Sequence, residues 1–406
     1  MGILAATRSG GRDGKLIIAS RGIRAFVDGI SYVILPIFLL RLGFTGLQVG
    51  AVVTASLLGS AALTLLTGLF AHRVSQYRLL LASSVLMTTT GIAFGLSTPF
   101  MVLIIVAAIG TMNPSAGDVS VFLPLEQALL STSVSSSNRT QIFAAYNIVG
   151  TLVGSVGALC AGVPLWIATS TGHSAQTGSR GAFMLYGLAG IALFLIYSRL
   201  SADHRIVHTK SKGALSQSKR MIYKLAALFS LDAFGGGFAV QSIFSLWVFL
   251  RFNLSSGTLG FIFFATGLLS AISSIVAVHI ADRIGLVRTM VFTHIPASLL
   301  LVAVVFMPNV WLAMSLFVIR GFLSQMDVPV RTSYVMAVVS PEERPAAASI
   351  TNVPRSLASA IPPIAAGWML DHSTFAWPLL ICAGCKITYD ILLLWQFRHI
   401  RPPEEQ

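Results

Sequence analysis

Charge is the scarcest commodity in this chain of 406 residues: 14 acidic and 27 basic side chains make up 10% of it. Soluble globular domains carry roughly 25%, so an ordinary soluble fold is excluded. Cysteine is nearly absent as well. Cys160, Cys382 and Cys385 all lie in apolar runs, which leaves no disulfide framework to expect. The chain has no glycine-rich phosphate loop, no His-Glu-x-x-His and no aspartate-rich repeat, so ATP hydrolysis, metalloprotease and prenyltransferase chemistry find no residues to carry them. No cofactor, no resident metal and no enzymatic activity are expected. Met1–Lys15 is polar, glycine-rich and basic and does not read as a cleaved signal peptide.

What is abundant is apolar length. The chain is 55% hydrophobic, with a mean hydropathy of +0.81. Runs such as Ile30–Leu40, Val52–Phe70 and Leu299–Phe306 recur along it. About 20 apolar residues cross a ~30 Å hydrocarbon layer as a helix. Twelve such spans are expected, at 17–41, 46–71, 78–97, 100–127, 140–168, 181–199, 222–250, 257–280, 287–307, 310–338, 346–370 and 375–397. The runs are too long and too unalternating for barrel strands. The fold class is therefore an all-α membrane protein.

The stretch from Pro124 to Leu165 comes round again 205 positions later. Pro124 returns as Pro329, Arg139 as Arg344, Asn147 as Asn352, Leu152 as Leu357, Ala161-Gly162 as Ala366-Gly367 and Leu165 as Leu370. Glu126 meets Arg331 at the same offset, so the charge is kept and its sign reversed. A gap-free register of this kind marks two copies of one unit laid down in the same direction. The expected layout is a tail (1–16), a first six-helix bundle (17–199), a linker (200–221), a second bundle (222–397) and a short tail (398–406).

Basic residues give the orientation. Arg8, Arg12, Lys15, Arg21, Arg73, Arg78, Arg139, the linker cations, Arg283, Arg288, Arg344, Arg398 and Arg401 share one side; Arg41, Arg180 and Arg251 lie on the other. The positive-inside rule places both termini and the linker in the cytoplasm, in the plasma (inner) membrane. The net charge of +13 is then topology and attraction to anionic lipid, with no nucleic acid needed. Asn138-Arg139-Thr140, a glycosylation acceptor by pattern, falls on the inaccessible side.

Two loops carry a family likeness. Asp282-Arg283-Ile284-Gly285-Leu286-Val287-Arg288 follows span eight, and Gly68 to Arg78, with Arg73, follows span two. Both resemble the Gly-x-x-x-Asp-Arg-x-Gly-Arg-Arg signature of the major facilitator superfamily. The second copy has Val278 for the first glycine; the first has His72 for the acid and Ser75 for the second glycine. The resemblance implies two pseudo-symmetric six-helix bundles rocking about a central cavity, with Asp282, Arg283, Arg73 and Arg78 latching the cytoplasmic end. His72 weakens that latch in the first half.

Function must come from polar groups inside the spans, where a charge is costly and marks a pathway or a partner. Asp28 lies about eleven residues into span one, near mid-bilayer, and Asp232 at a similar depth in span seven. Arg24 stands one turn before Asp28, so Asp28 either exchanges protons or merely neutralises Arg24. Asp28 with Pro36 also looks like the first-span acid and proline of some drug:proton antiporters, at a spacing one residue shorter. The glycines Gly235-Gly236-Gly237 after Asp232 weaken the helix there.

Span four is interrupted by Gly110 to Asp118, with Pro114 freeing carbonyls and Asn113 and Asp118 lining a cavity or serving structure. The Arg-x-x-x-Gly pattern that the superfamily's exporters carry in span four is absent. Glu126 is expected at the cytoplasmic gate, facing Arg139, Arg331 or Arg344. Arg24, Arg320 and Arg355 can hold an anion in a guanidinium fork, or act as counter-ions for Asp28, Asp118, Asp232 and Asp327. Lys386 and Asp390 are expected to pair, one turn apart. Cys382 and Cys385, also one turn apart, suit a soft metalloid or close helix packing.

The favoured function is secondary transport by alternating access, as proton-coupled efflux of an amphipathic compound by a monomer whose partners are substrate, protons and lipid. Transport of a small anion is the second reading. A transporter-like receptor or a polytopic lipid-modifying enzyme is the reading from another class; the short tails and the lack of a facial catalytic cluster speak against it.

Overall fold

The computed structural model describes residues 11–70, 74–115, 120–132, 139–201, 218–340 and 343–397, and every regular element among them is helical. The helices are α1 (Gly11–Arg41), α2 (Gly46–Phe70), α3 (Gln76–Leu96), α4 (Phe100–Ile109), α5 (Phe122–Thr132), α6 (Arg139–Leu159), α7 (Val163–Ser170) and α8 (Ala175–Tyr197). After the linker come α9 (Lys219–Gly237), α10 (Gln241–Phe252), α11 (Ser256–Ile284), α12 (Leu286–Phe306), α13 (Val310–Ser324), α14 (Asp327–Ala337), α15 (Arg344–Ala360), α16 (Pro362–His372) and α17 (Trp377–Phe397).

Nine stretches among the described residues are long and apolar enough to cross a membrane. They match expected spans one, two, three, five to nine and twelve. Spans four, ten and eleven each consist of two shorter helices below that length, so nine of the twelve expected spans are matched among the described residues. Span four breaks around Pro114, as its composition predicts; span eleven breaks where α15 gives way to the Pro362-Pro363 start of α16.

Short polar caps set the helix starts. The Ser174 hydroxyl accepts from the Thr177 amide at 3.2 Å, Ser255 from Thr258 at 3.1 Å, and the Asn309 carbonyl from Trp311 at 2.8 Å. Between α11 and α12 the turn is made by one residue, Gly285, at φ 87° and ψ 160°. That backbone region belongs essentially to glycine, which explains the signature glycine in this loop. Gly285→Ala is expected to destabilise the protein by about 1–3 kcal/mol, read as earlier thermal unfolding in detergent; an unchanged unfolding curve would remove this account of the loop.

The repeat reappears as packing. α1 lies against α6, and α3 against α8; in the second half α9 lies against α15, and α12 against α17. These are the same partners one repeat apart. Small residues let the backbones meet: a Cβ on Gly29 would strike the Gly154 carbonyl oxygen, and one on Gly91 would strike Gly187.

The most extensive contacts between the bundles are a matching pair, α2 with α16 and α11 with α6. A Cβ at Gly50 would collide with the Pro363 carbonyl, and one at Gly260 with the Ala158 carbonyl. Asp371 of α16 accepts from the Gly46 amide at 2.5 Å and the Leu47 amide at 2.7 Å, capping α2 from the opposite bundle. All these contacts lie toward the end that carries the 42–45, 253–255 and 373–376 loops. One apolar core joins the bundles there, with Phe244 stacked on Phe317 at 3.8 Å and Tyr32 edge-on to Phe263 at 5.3 Å. Toward the linker end the second bundle has a separate core of its own around Phe229, Met290, Tyr334 and Leu393.

Candidate functional site

Each bundle holds a buried ionic cluster, and the two are built on corresponding helices. In the first, Arg24 of α1 reaches Glu126 of α5 at 2.7 Å. The Tyr197 hydroxyl donates to the other Glu126 oxygen at 2.5 Å, and the Tyr146 hydroxyl also donates to Glu126. Arg24 further donates to the Tyr146 oxygen at 3.2 Å and lies over the Phe122 ring at 4.7 Å. Arg24 and Glu126 are only 1% and 0% exposed, so this pair stays intact only because both charges are met.

In the second cluster Asp232 of α9 meets Lys386 at 2.6 Å and Arg331 of α14 at 3.4 Å. Arg331 also meets Asp327 at 2.9 Å. His294 of α12 presents Nδ1 to both Asp390 oxygens, at 3.0 and 3.1 Å, and Nε2 to the Lys386 ammonium at 3.3 Å. Arg331 follows Glu126 by 205 residues, and Asp232 follows Arg24 by 208. Both halves thus keep an ion pair between their first and fourth spans, with the signs exchanged.

These pairings correct three expectations. Glu126 does not face Arg331 or Arg344 at the end of the molecule; its partner is Arg24, in the interior. Arg24 is therefore not the partner of Asp28. Lys386 does not pair with Asp390, because Asp232 takes its ammonium and His294 takes the carboxylate.

Asp28 is half-buried in α1, and its Oδ1 is shut off from solvent with no hydrogen-bond partner. Asn113 is buried between α4 and α5, and its Oδ1 accepts from the Ser115 amide at 3.1 Å and hydroxyl at 3.0 Å. The freed carbonyls of this break are also met: Thr111 by the Tyr186 hydroxyl at 2.9 Å, and Pro114 by the Ser242 hydroxyl at 2.7 Å from the other bundle. Arg320 is half-buried, 5.6 Å from the Phe317 ring, and Arg355 is half-buried in α15.

Asp118, Arg73 and the Arg139 side chain lie outside the described residues. Arg78, Asp282, Arg283 and Arg344 are exposed. Asp282 and Arg283 form no ion pair among the described residues, while Arg344 donates to the Met336 carbonyl at 3.1 Å. Cys382 and Cys385 pack on α9, where a Cβ at Gly235 would stand 2.7 Å from that of Cys385. Among the described residues no group of three His, Cys, Asp or Glu side chains could hold a metal ion.

Sequence reasoning missed Tyr146, Tyr197 and His294. The rule that singles out ionisable groups in apolar spans applies to histidine as much as to aspartate, and His294 stands mid-way in the run Leu286–Phe306. The tyrosines give no such signal.

The Major Facilitator Superfamily model matches residues 225–406. Across 422 aligned residues, 95% of this chain and 94% of the relative, the sequence is 24% identical to the uncharacterized membrane protein YJR124C of Saccharomyces cerevisiae. It is 26% identical over 224 residues, 54% of each protein, to the multidrug efflux protein YfmO of Bacillus subtilis. The fold matches that of the nucleoside transporter NupG with a TM-score of 0.70 at 14% identity, covering 95% of this chain and 99% of the other. It also matches an inward-facing, occupied bacterial homologue of the human lysosomal transporter Spinster, with a TM-score of 0.73 at 13% identity over 94% of each.

Proposed function

We propose that this chain, whose residues 225–406 match the Major Facilitator Superfamily model, is a membrane transporter that exports a small amphipathic compound in exchange for protons, by rocking of its two bundles. The observation that carries this reading is Asp28: a mid-bilayer carboxylate with one oxygen sealed from water and no partner. A group left this way is expensive unless it takes a proton, and carrying a proton is the work a coupled exchanger needs done. The partial likeness to a multidrug efflux protein supports export as the direction.

With the basic linker on the cytoplasmic side, the closed end of the molecule is the external one. Contacts between α2 and α16 and between α6 and α11 seal it, while Asp282 and Arg283 at the other end form no ion pair among the described residues. In this reading cargo enters from the cytoplasm. The anion reading is weaker, because the charge of Arg24 is already met by Glu126.

The test is dye accumulation in an efflux-deficient bacterium expressing the chain. Accumulation is expected to fall, to recover on adding a proton uncoupler, and to be restored in Asp28→Asn. Export that survives both the uncoupler and Asp28→Asn, with the protein present in the membrane, would overturn the proposal.

A further inference from the structure

The second ionic cluster contains a group that the reading above does not use. His294 is 3% exposed and clamped between an acid and a base. A neutral imidazole has one N–H and one acceptor nitrogen, and which is which follows from the neighbours. Nδ1 faces two carboxylate oxygens of Asp390, so it carries the hydrogen. Nε2 faces the Lys386 ammonium at 3.3 Å, which has only hydrogens to offer, so Nε2 accepts. Asp232 Oδ1 lies 3.8 Å from Nε2 and is held by Lys386 at 2.6 Å. Three groups thus compete for two contacts.

We propose that His294 is a proton-binding site of the second bundle, and that its protonation drives Lys386 away from both His294 and Asp232. The step is simple. One proton from water bonds to Nε2, and the hydrogen bond from the ammonium to Nε2 breaks. Nε2–H then turns its hydrogen toward Asp232 Oδ1, replacing the ammonium there. Nδ1–H stays on Asp390 throughout. Lys386 has somewhere to go: its side chain is already 13% exposed. Its ammonium also lies beside Gly236, where a Cβ would stand 3.9 Å from Nζ at the weakened end of α9.

The surroundings from every packed element are polar enough to sustain two arrangements. α9 contributes Asp232, α13 Arg320, α14 Asp327 and Arg331, α15 Arg355, and α17 Cys382, Lys386, Tyr389 and Asp390. Tyr389 sets its ring edge-on to the imidazole at 6.0 Å and Arg331 stays bound to Asp327, so the imidazole and Asp232 keep their places while the ammonium moves. The inference needs neither Asp28 nor a known cargo, so it stands or falls separately from the exporter reading.

The experiment is nitrogen NMR on the full chain in lipid nanodiscs, labelled with ¹⁵N at histidine and lysine, from pH 5 to 9. Loss of signal in His294→Gln and Lys386→Arg assigns the two side chains. The expected result is that His294 passes from one protonated nitrogen to two as pH falls, and that the Lys386 signal shifts at the same midpoint. In His294→Gln the shift of Lys386 over that range should be lost. A His294 that keeps one protonation state throughout overturns the proposal; so does one that titrates while Lys386 stays still, which would make it a structural clip between α12 and α17. If His294→Gln does not fold, the co-titration in the unmodified chain, with the Lys386 signal assigned by its loss in Lys386→Arg, decides the matter.

Discussion

Glu126→Gln is expected to cost the folded protein about 3–5 kcal/mol, the usual penalty for stranding one charge of a buried pair. The substitution keeps the size of the side chain and some of its hydrogen bonding to Tyr146 and Tyr197. What it removes is the charge that answers Arg24, at a site where neither residue sees water. Adding Arg24→Met to the same chain should recover most of the loss, because a pair removed together leaves nothing uncompensated. The comparison is made by denaturant unfolding in mixed micelles. A Glu126→Gln variant as stable as the parent, or a double variant no better than the single, would show that the pair is not what holds α1 to α5.

Gly260→Leu should push the two bundles apart at their closed end. A side chain there collides with the Ala158 carbonyl oxygen. That atom is backbone of the opposite bundle, so no rotamer change relieves the clash. Overpacking of this kind costs about 1–3 kcal/mol in the closed arrangement and nothing once the helices separate. Such a bias shifts the open-to-closed ratio roughly 5- to 150-fold. The readout is labelling by a membrane-impermeant thiol reagent of a cysteine placed at Val240, in a chain whose Cys160, Cys382 and Cys385 are serine. Labelling that does not rise, in a variant that remains folded, would mean that this contact does not govern opening.

The architecture was largely readable from the residues because the signals are local or repeated. A span is announced by its own apolar length, and the 205-residue offset of Pro124 and Pro329 needs no neighbour to be seen. The ion pairs were not readable, and the reason is geometric. Helical side chains lean toward the N-terminus, so an acid preceding a base by four residues pairs better than the reverse order. Asp327 and Arg331 are in the good order and meet at 2.9 Å. Arg24 with Asp28, and Lys386 with Asp390, are in the poor order, and each of the two bases finds its acid on another helix. Sequence spacing proposes such pairs; it cannot weigh them against a tyrosine-lined carboxylate brought in from 102 residues away. The asymmetry of Glu126 and Arg331 across the repeat was visible, yet its meaning emerges only when Arg24 and Asp232 are seen opposite them.

The break in the fourth span has a further consequence for how the molecule can open. The Pro114 carbonyl takes its hydrogen bonds from the hydroxyl, at 2.7 Å, and the amide, at 3.2 Å, of Ser242, a residue of the other bundle. The same hydroxyl reaches the Tyr32 carbonyl at 3.2 Å. When the bundles part, these main-chain groups lose their partners in a region where hydrocarbon can offer none. Only water can replace them. The gap must therefore fill as it forms, which makes wetting of the cleft a component of the opening step rather than its aftermath. A dry, half-open arrangement would leave these carbonyls unmet, and agents that lower water activity at the closed end should slow opening at this point.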